Sequence, residues 1–185
     1  MPNRPHKAWH HRGYLPHFDS GAVVQTLTFR LADSLPRMFY ERMAAMDDAN
    51  RRMRLEEMID EGRGSCLLRD DDNAAIVQAA FEHFDGDRYR LIAWVIMPNH
   101  VHVMIEQIEG YPLSDVVHSW KSYTAKKINE RRRANGVVWA AEYFDRYIRD
   151  GAHFANAVRY IEENPVKAGL ADKPSDLPYS SAASG

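Results

Sequence analysis

With Cys66 as its only cysteine, the chain can form neither an internal disulfide nor a cysteine-rich zinc site, a pattern that suits a reducing cytosol. Long apolar runs are also missing. None approaches the ~20 residues of a membrane span, and the N-terminal MPNRPHKAWHHRGYLPHF has no apolar signal-peptide core. The expectation is a cytoplasmic protein that touches no membrane. Nor does charge of one sign dominate: 24 basic residues face 26 acidic ones, for a formal net charge of -2, which excludes a uniformly cationic coat. Internal repeats, low-complexity blocks and linkers are absent too. An arm (1–20) followed by one globular domain (21–185) is therefore the expected organisation.

The charge that is present is sorted along the chain. Arg4, Lys7 and Arg12 lie among histidines near the N-terminus, Lys121 to Arg133 carries six basic residues against the one acid Glu130, and acids gather between Asp47 and Asp72. Such segregation allows a local basic face able to track a phosphate backbone. Lys121, Lys126, Lys127 and Arg131 join the three N-terminal cations as candidate DNA contacts. Trp9, Tyr14 and Phe18 in the arm add aromatic surfaces on which unpaired bases can stack.

Periodicity outlines the elements. Ala22 to Leu31 alternates like a strand, and Ser34 with Pro36 opens a helical segment that reaches about Gly62 with a break near Asp47 and Asp48. Asp71 or Asp72 is expected to cap a second helix whose buried stripe is Ala75, Ile76, Ala79, Ala80 and Phe84. A strand pair follows, then a helix from Leu113 with Val116, Val117, Trp120 and Ile128 inward. Short strand candidates come next, then a helix over 152–164 that Pro165 ends or kinks. This order predicts an α+β fold: a ferredoxin-like sandwich of an antiparallel sheet with helices packed on it.

The most informative stretch, Trp94 to Glu106, reads WVIMPNHVHVMIE. Taken as strand, Pro-Asn turn and strand, it places His100 and His102 on one face, because side chains at i and i+2 point the same way. Two imidazoles on a rigid support are the start of a metal site. Glu106 shares their face, either as a further ligand or as a solvated strand end. In NAVRYIEENPVKAGL, Tyr160 and Asn164 are one helical turn apart and so share a stripe. Asn164 offers an oxygen ligand and Tyr160 a phenol. A phenol, with its pKa of about 10, attacks a phosphate only where a nearby cation stabilises the phenolate. Tyr123 is a rival by charge but has no ligand four residues on. Lys167 either assists a phosphate or caps carbonyls at a helix end.

These stretches together resemble the HUH single-tyrosine transposases, specifically the REP-associated tyrosine transposases related to insertion-sequence transposases. The likeness runs through HHRGYLPHF, FRLADSLP, RYRLIAWVIMPNHVH, WKSYTAKKIN, EYFDRYIRD, YIEENPVKAGL and LPYSS. It implies that His100 and His102 are the HUH pair, that Asn164 is the third ligand to Mg2+ or Mn2+, and that Tyr160 forms a 5′-phosphotyrosine. The implied partner is single-stranded DNA with palindromic hairpins in a bacterial cytoplasm, its guide sequence touched by the N-terminal arm, and the protein is a monomer or a homodimer. Two other readings stay open: a hairpin-binding module that has lost cutting, and a zinc hydrolase using His100, His102 and Glu106.

Overall fold

A computed structural model of the chain describes residues 6, 8–12, 15–35 and 47–183. Two short strands, β1 (Ala8–Arg12) and β2 (Leu15–Asp19), form a hairpin. The central sheet comprises β3 (Val24–Arg30), β4 (Tyr89–Ile96), β5 (His100–Gln107) and β6 (Phe144–Tyr147). The helices are α1 (Asp48–Asp60), α2 (Asp71–Glu82), α3 (Leu113–Arg132) and α4 (Gly151–Lys167). The four strands are antiparallel in the order β4-β5-β3-β6. Strand, helix, strand, strand, helix, strand with the first and third strands central is the ferredoxin-like arrangement, so the expected α+β sandwich is observed.

Alternation along β5 decides what each face of the sheet carries. Val101, Val103 and Ile105 turn to one side, where they pack with Leu27, Phe29, Trp94 and Ile96 under Phe81 of α2 and Val116, Val117 and Trp120 of α3. His100, His102 and Met104 turn to the other, where Ala93, Val95 and Met97 meet Ile161 of α4. Both faces are covered, so β5 is buried at every position but Glu106. At the core of the α2–α3 side Trp120 donates its Nε1–H to the Tyr89 hydroxyl at 2.9 Å, and that hydroxyl donates to the Phe81 carbonyl at 2.7 Å. Buried Trp120 therefore leaves no polar group unmatched.

Local detail departs from expectation at several points. The cap of α2 is Asp70, whose carboxylate accepts from the backbone N–H groups of Asp72 and Asn73; the three consecutive aspartates let the start slide by a residue. Its buried face is Asn73, Ala74, Val77, Ala80 and Phe81, with Ala75 and Ala79 exposed, because the bulky Phe81 rather than the small alanines sets which side packs on α3. Residues 36–46, including the proposed helix opening at Pro36, lie outside the described residues. α4 starts at Gly151 under an Asp150 cap and carries buried Pro165 inside it, two residues before its end. The tail wraps: the Tyr179 carbonyl accepts from Ile96 N–H at 2.9 Å, covering the edge of β4.

The arm is part of the fold. Asp19, fully buried, accepts from the Gln107 amide and the Leu113 N–H, both at 3.2 Å, and pairs with His6 at 2.9 Å. His17 Nδ1 pairs with Asp145 on β6, and the same carboxylate accepts from Phe18 N–H at 2.9 Å. Through β2 the hairpin is thus pinned by Asp19 to β5 and α3 and by His17 to the sheet edge at β6.

Candidate metal centre and tyrosine cleft

His100 and His102 point their Nε2 atoms at each other across 3.1 Å. Each ring is held from behind. Asn99 Oδ1 lies 2.7 Å from His100 Nδ1 while its amide nitrogen donates to the Arg63 carbonyl, so Nδ1 of His100 carries the hydrogen and Nε2 presents a lone pair. Thr28 Oγ1, on the neighbouring β3, plays the same part for His102 Nδ1 at 2.8 Å. Burial, together with the neighbouring His102, holds His100 well below the usual imidazole range, and burial brings His102 down to about 4. Both are neutral near pH 7, the form that ligates a metal.

Two further side chains reach the cluster. The amide nitrogen of buried Asn164 stands 3.4 Å from His102 Nε2, and its Oδ1 has no hydrogen-bond partner. Asp60 Oδ1, at the end of α1, lies 3.5 Å from His100 Nε2 and is likewise without a hydrogen-bond partner. Orphaned buried acceptors beside neutral imidazoles are what a cation would satisfy. Among the described residues, the ligand atoms of Asp60, His100 and His102 all lie within 4.8 Å of one another, a cluster able to hold a metal ion. Two ligands meeting on one ion about 2.0–2.1 Å away, at about 90–110°, are roughly 2.8–3.4 Å apart. The 3.1 Å between the imidazoles fits that span. Burial, then the charge of Glu56, raises the Asp60 carboxyl to about 6, with Lys167 opposing.

Tyr160 stands beside this cluster, its ring edge-on to His102 at 5.6 Å. Its phenol is raised above the ordinary tyrosine value by burial and then by the charges of Glu56 and Asp60; Glu56 also hydrogen-bonds the hydroxyl, and a hydrogen bond with Asn164 opposes the rise. Lys167 Nζ lies 4.9 Å from the ring centroid and pairs with Glu163 at 3.5 Å. The phenol opens on a cavity of about 300 Å³ between β3, β6 and α4.

Tyr160, His100, His102 and Asn164 are therefore brought together; the other candidates are not. Glu106 pairs with Arg90 at 3.0 Å toward the far end of β5, which removes the ligand a zinc hydrolase of that composition needs. Tyr123 is half-exposed on α3, on the other side of the sheet. The α3 cations face acids or carbonyls: Lys127 and Lys126 reach Glu130 at 3.2 and 3.9 Å, Arg131 pairs with Asp70 and Asp72, and Lys121 donates to the Ala141 carbonyl at 2.9 Å. Arg4 and Lys7 lie outside the described residues, as does the side chain of Arg12, which ends β1. Asp60 and Glu56 were not apparent from sequence, although they repeat on α1 the four-residue spacing of Tyr160 and Asn164.

The family model "Transposase IS200 like" matches residues 62–164, an interval that contains both histidines, Tyr160 and Asn164 but begins just after Asp60. A REP-associated tyrosine transposase of Escherichia coli K12 is 28% identical over 92 residues, 50% of this chain and 53% of the relative. A Haemophilus influenzae protein provisionally given the same name is 28% identical over 111 residues, 54% of this chain and 61% of the relative. The chain thus spans little more than half the length of these curated relatives. A solved structure of a REP-associated tyrosine transposase bound to a REP hairpin has the same fold, with a TM-score of 0.62 at 21% identity over 95% of this chain and 82% of that one. With more than half of its length matched, and the paired histidines and the tyrosine inside the match, the chain belongs to the IS200-like transposase family.

Proposed function

We propose that this chain cuts and rejoins single-stranded DNA beside hairpins, with Tyr160 as the nucleophile. One observation carries the reading: Tyr160 and Asn164, a helical turn apart on α4, meet the two Nε2 atoms of β5 in a single cleft, with the Asn164 amide 3.4 Å from His102. His100, His102, Asn164 and Asp60 would hold Mg2+ or Mn2+, hard ions suited to nitrogen and oxygen donors. Such an ion polarises the phosphodiester and offsets the charge that grows on its oxygens.

The chain's own groups do the rest. Tyr160 Oη attacks phosphorus, the phenol proton passes to the Glu56 carboxylate that already hydrogen-bonds it, and the bond to the 3′ oxygen breaks. The leaving oxygen takes a proton from solvent. The phosphotyrosine retains the phosphoester energy, so the reverse attack by a 3′ hydroxyl rejoins strands without ATP. Lys167 over the phenol ring adds positive charge where phenolate forms. Arg4, Lys7, Arg12, Lys121, Lys126, Lys127 and Arg131 are proposed to hold DNA away from the scissile phosphate, since α3 lies across the sheet from the histidines.

A labelled hairpin oligonucleotide with an unpaired flank, incubated with protein and Mn2+ and run on a denaturing gel, tests the reading. The wild type should give a covalent adduct and Tyr160→Phe none, with Tyr123→Phe as the matched control. An adduct that survives Tyr160→Phe overturns it.

A further inference from the structure

The cavity on which the Tyr160 phenol opens extends beyond the groups used in the chemistry described so far. It is lined by His102, Tyr160 and Glu56 at one end, runs past Thr26 and Thr28 of β3, and ends at Asp145 and Arg146 of β6 and Asn156 of α4. Leu27, Phe144, Ala157 and Ile161 give it apolar walls between these polar points. At about 300 Å³ it stands at the small end of ligand pockets, with room for one flat ring system rather than a stretch of chain.

The substrate supplies such a ring. A strand laid across Tyr160 for attack on its phosphate must bring the two flanking nucleotides within reach of the same cleft. Enzymes that act on unpaired strands hold a base out of the stack between apolar surfaces and read its polar edge. Resting on the reading that Tyr160 cuts DNA, we propose that this cavity seats one base of the scissile strand, adjacent to the cleaved phosphate, with Asn156 reading its edge.

The edge that Asn156 presents is defined by its neighbour. Arg159 donates to Asn156 Oδ1 at 2.7 Å, which leaves the amide N–H groups as the side that faces a ligand. Of the carboxylates that also line the cavity, Asp145 is taken up by His17, Phe18 N–H and the Gln25 amide, and Glu56 by the Tyr160 hydroxyl at the catalytic end, so the Asn156 amide is the group left to read a base at the far end. Amide N–H groups at that end suit a base whose edge accepts. The keto bases, thymine through O4 and guanine through O6, meet that requirement; adenine and cytosine present an exocyclic amino donor at the corresponding position.

The test uses the full chain with Mn2+ and a series of hairpin oligonucleotides. In these, each nucleotide flanking the cut is replaced in turn by the four bases and by an abasic residue. At one flanking position the abasic strand should react about 10- to 100-fold more slowly in kcat/KM, the range lost with one stacked base. At that position thymine and guanine should outrun adenine and cytosine. Asn156 is exposed, so Asn156→Ala should fold as the wild type does and reduce the keto-to-amino ratio toward one. A merely structural role would slow all four bases alike. Equal rates on intact and abasic strands, or a base preference unchanged by Asn156→Ala, would overturn the pocket while leaving the nuclease standing. Absence of any adduct on every strand would overturn both.

Discussion

Replacing Asp145 by asparagine probes the pin that holds the N-terminal hairpin to the sheet. His17 and Asp145 are 1% and 2% exposed at their side chains, His17 Nε2 lies 3.9 Å from Glu142, and the imidazole packs on Tyr143 at 4.4 Å. Burial alone would push the imidazole down, but the hydrogen bonds and charges of Asp145 and Glu142 outweigh it and lift the group from 6.5 to about 9. The folded state therefore grips the proton more tightly than the unfolded one. Its contribution is complete below pH 6.5 and is lost as pH rises through 9. At 1.36 kcal/mol per decade, the separation of those two values corresponds to on the order of 3 kcal/mol. Urea denaturation followed by tryptophan fluorescence at pH 6 and pH 9.5 measures it. The native chain should lose roughly that amount between the two conditions beyond what Asp145→Asn loses. The variant should already be weaker by about 3–5 kcal/mol at pH 6, the usual cost of stranding one partner of a buried pair. Identical pH slopes for the two proteins would refute the reasoning.

Other expectations concern the metal centre. His102→Ala should fold normally and lose Mg2+- or Mn2+-dependent cleavage; full cleavage by this variant in chelator would remove the metal from the scheme. Asp60→Asn should weaken Mn2+ binding by about 10-fold or more by calorimetry, and unchanged affinity would exclude the carboxylate as a ligand. Without metal, the depressed imidazole of His102 makes stability fall as pH drops from 6.5 through about 4, by on the order of 3 kcal/mol from that group, measurable by acid titration of circular dichroism. Binding to a hairpin with its flank should weaken steeply with added salt, and a salt-independent affinity would leave the proposed basic contacts without a role.

Much of the site can be read directly because it follows short-range rules. The i, i+2 spacing of His100 and His102 on a strand, and the i, i+4 spacing of Tyr160 and Asn164 on a helix, dictate shared faces whatever the tertiary context. Glu56 and Asp60 repeat the i, i+4 spacing, but they sit in a helix of mixed charge that reads as solvated. It is the packing of Ile59 against Leu35, with Met58 and Phe144 alongside, that swings Asp60 inward. The buried face of α2 was similarly undecidable, since alanines at 74, 75, 79 and 80 are equally apolar and only contact between Phe81 and Trp120 chooses among them. Charge was the least informative guide. The basic run of α3 is real, yet much of it is matched by Glu130, Asp70 and Asp72, and it lies on the sheet face away from the histidines.

That distribution bears on how the proposed nucleophile, Tyr160, keeps its proton. Tyr160 and Asn164 ride on one turn of α4, so a shift of the helix moves phenol and amide together and cannot uncouple them. Burial first, and then the charges of Glu56 and Asp60 on a different helix, hold the proton on the phenol. A divalent cation, held as proposed by Asp60, His100, His102 and Asn164, would oppose that negative charge and favour phenolate. Removing the charge of Asp60 should then have opposite effects in the two conditions: an easier phenol ionisation without metal, and a weaker response to metal when it is added.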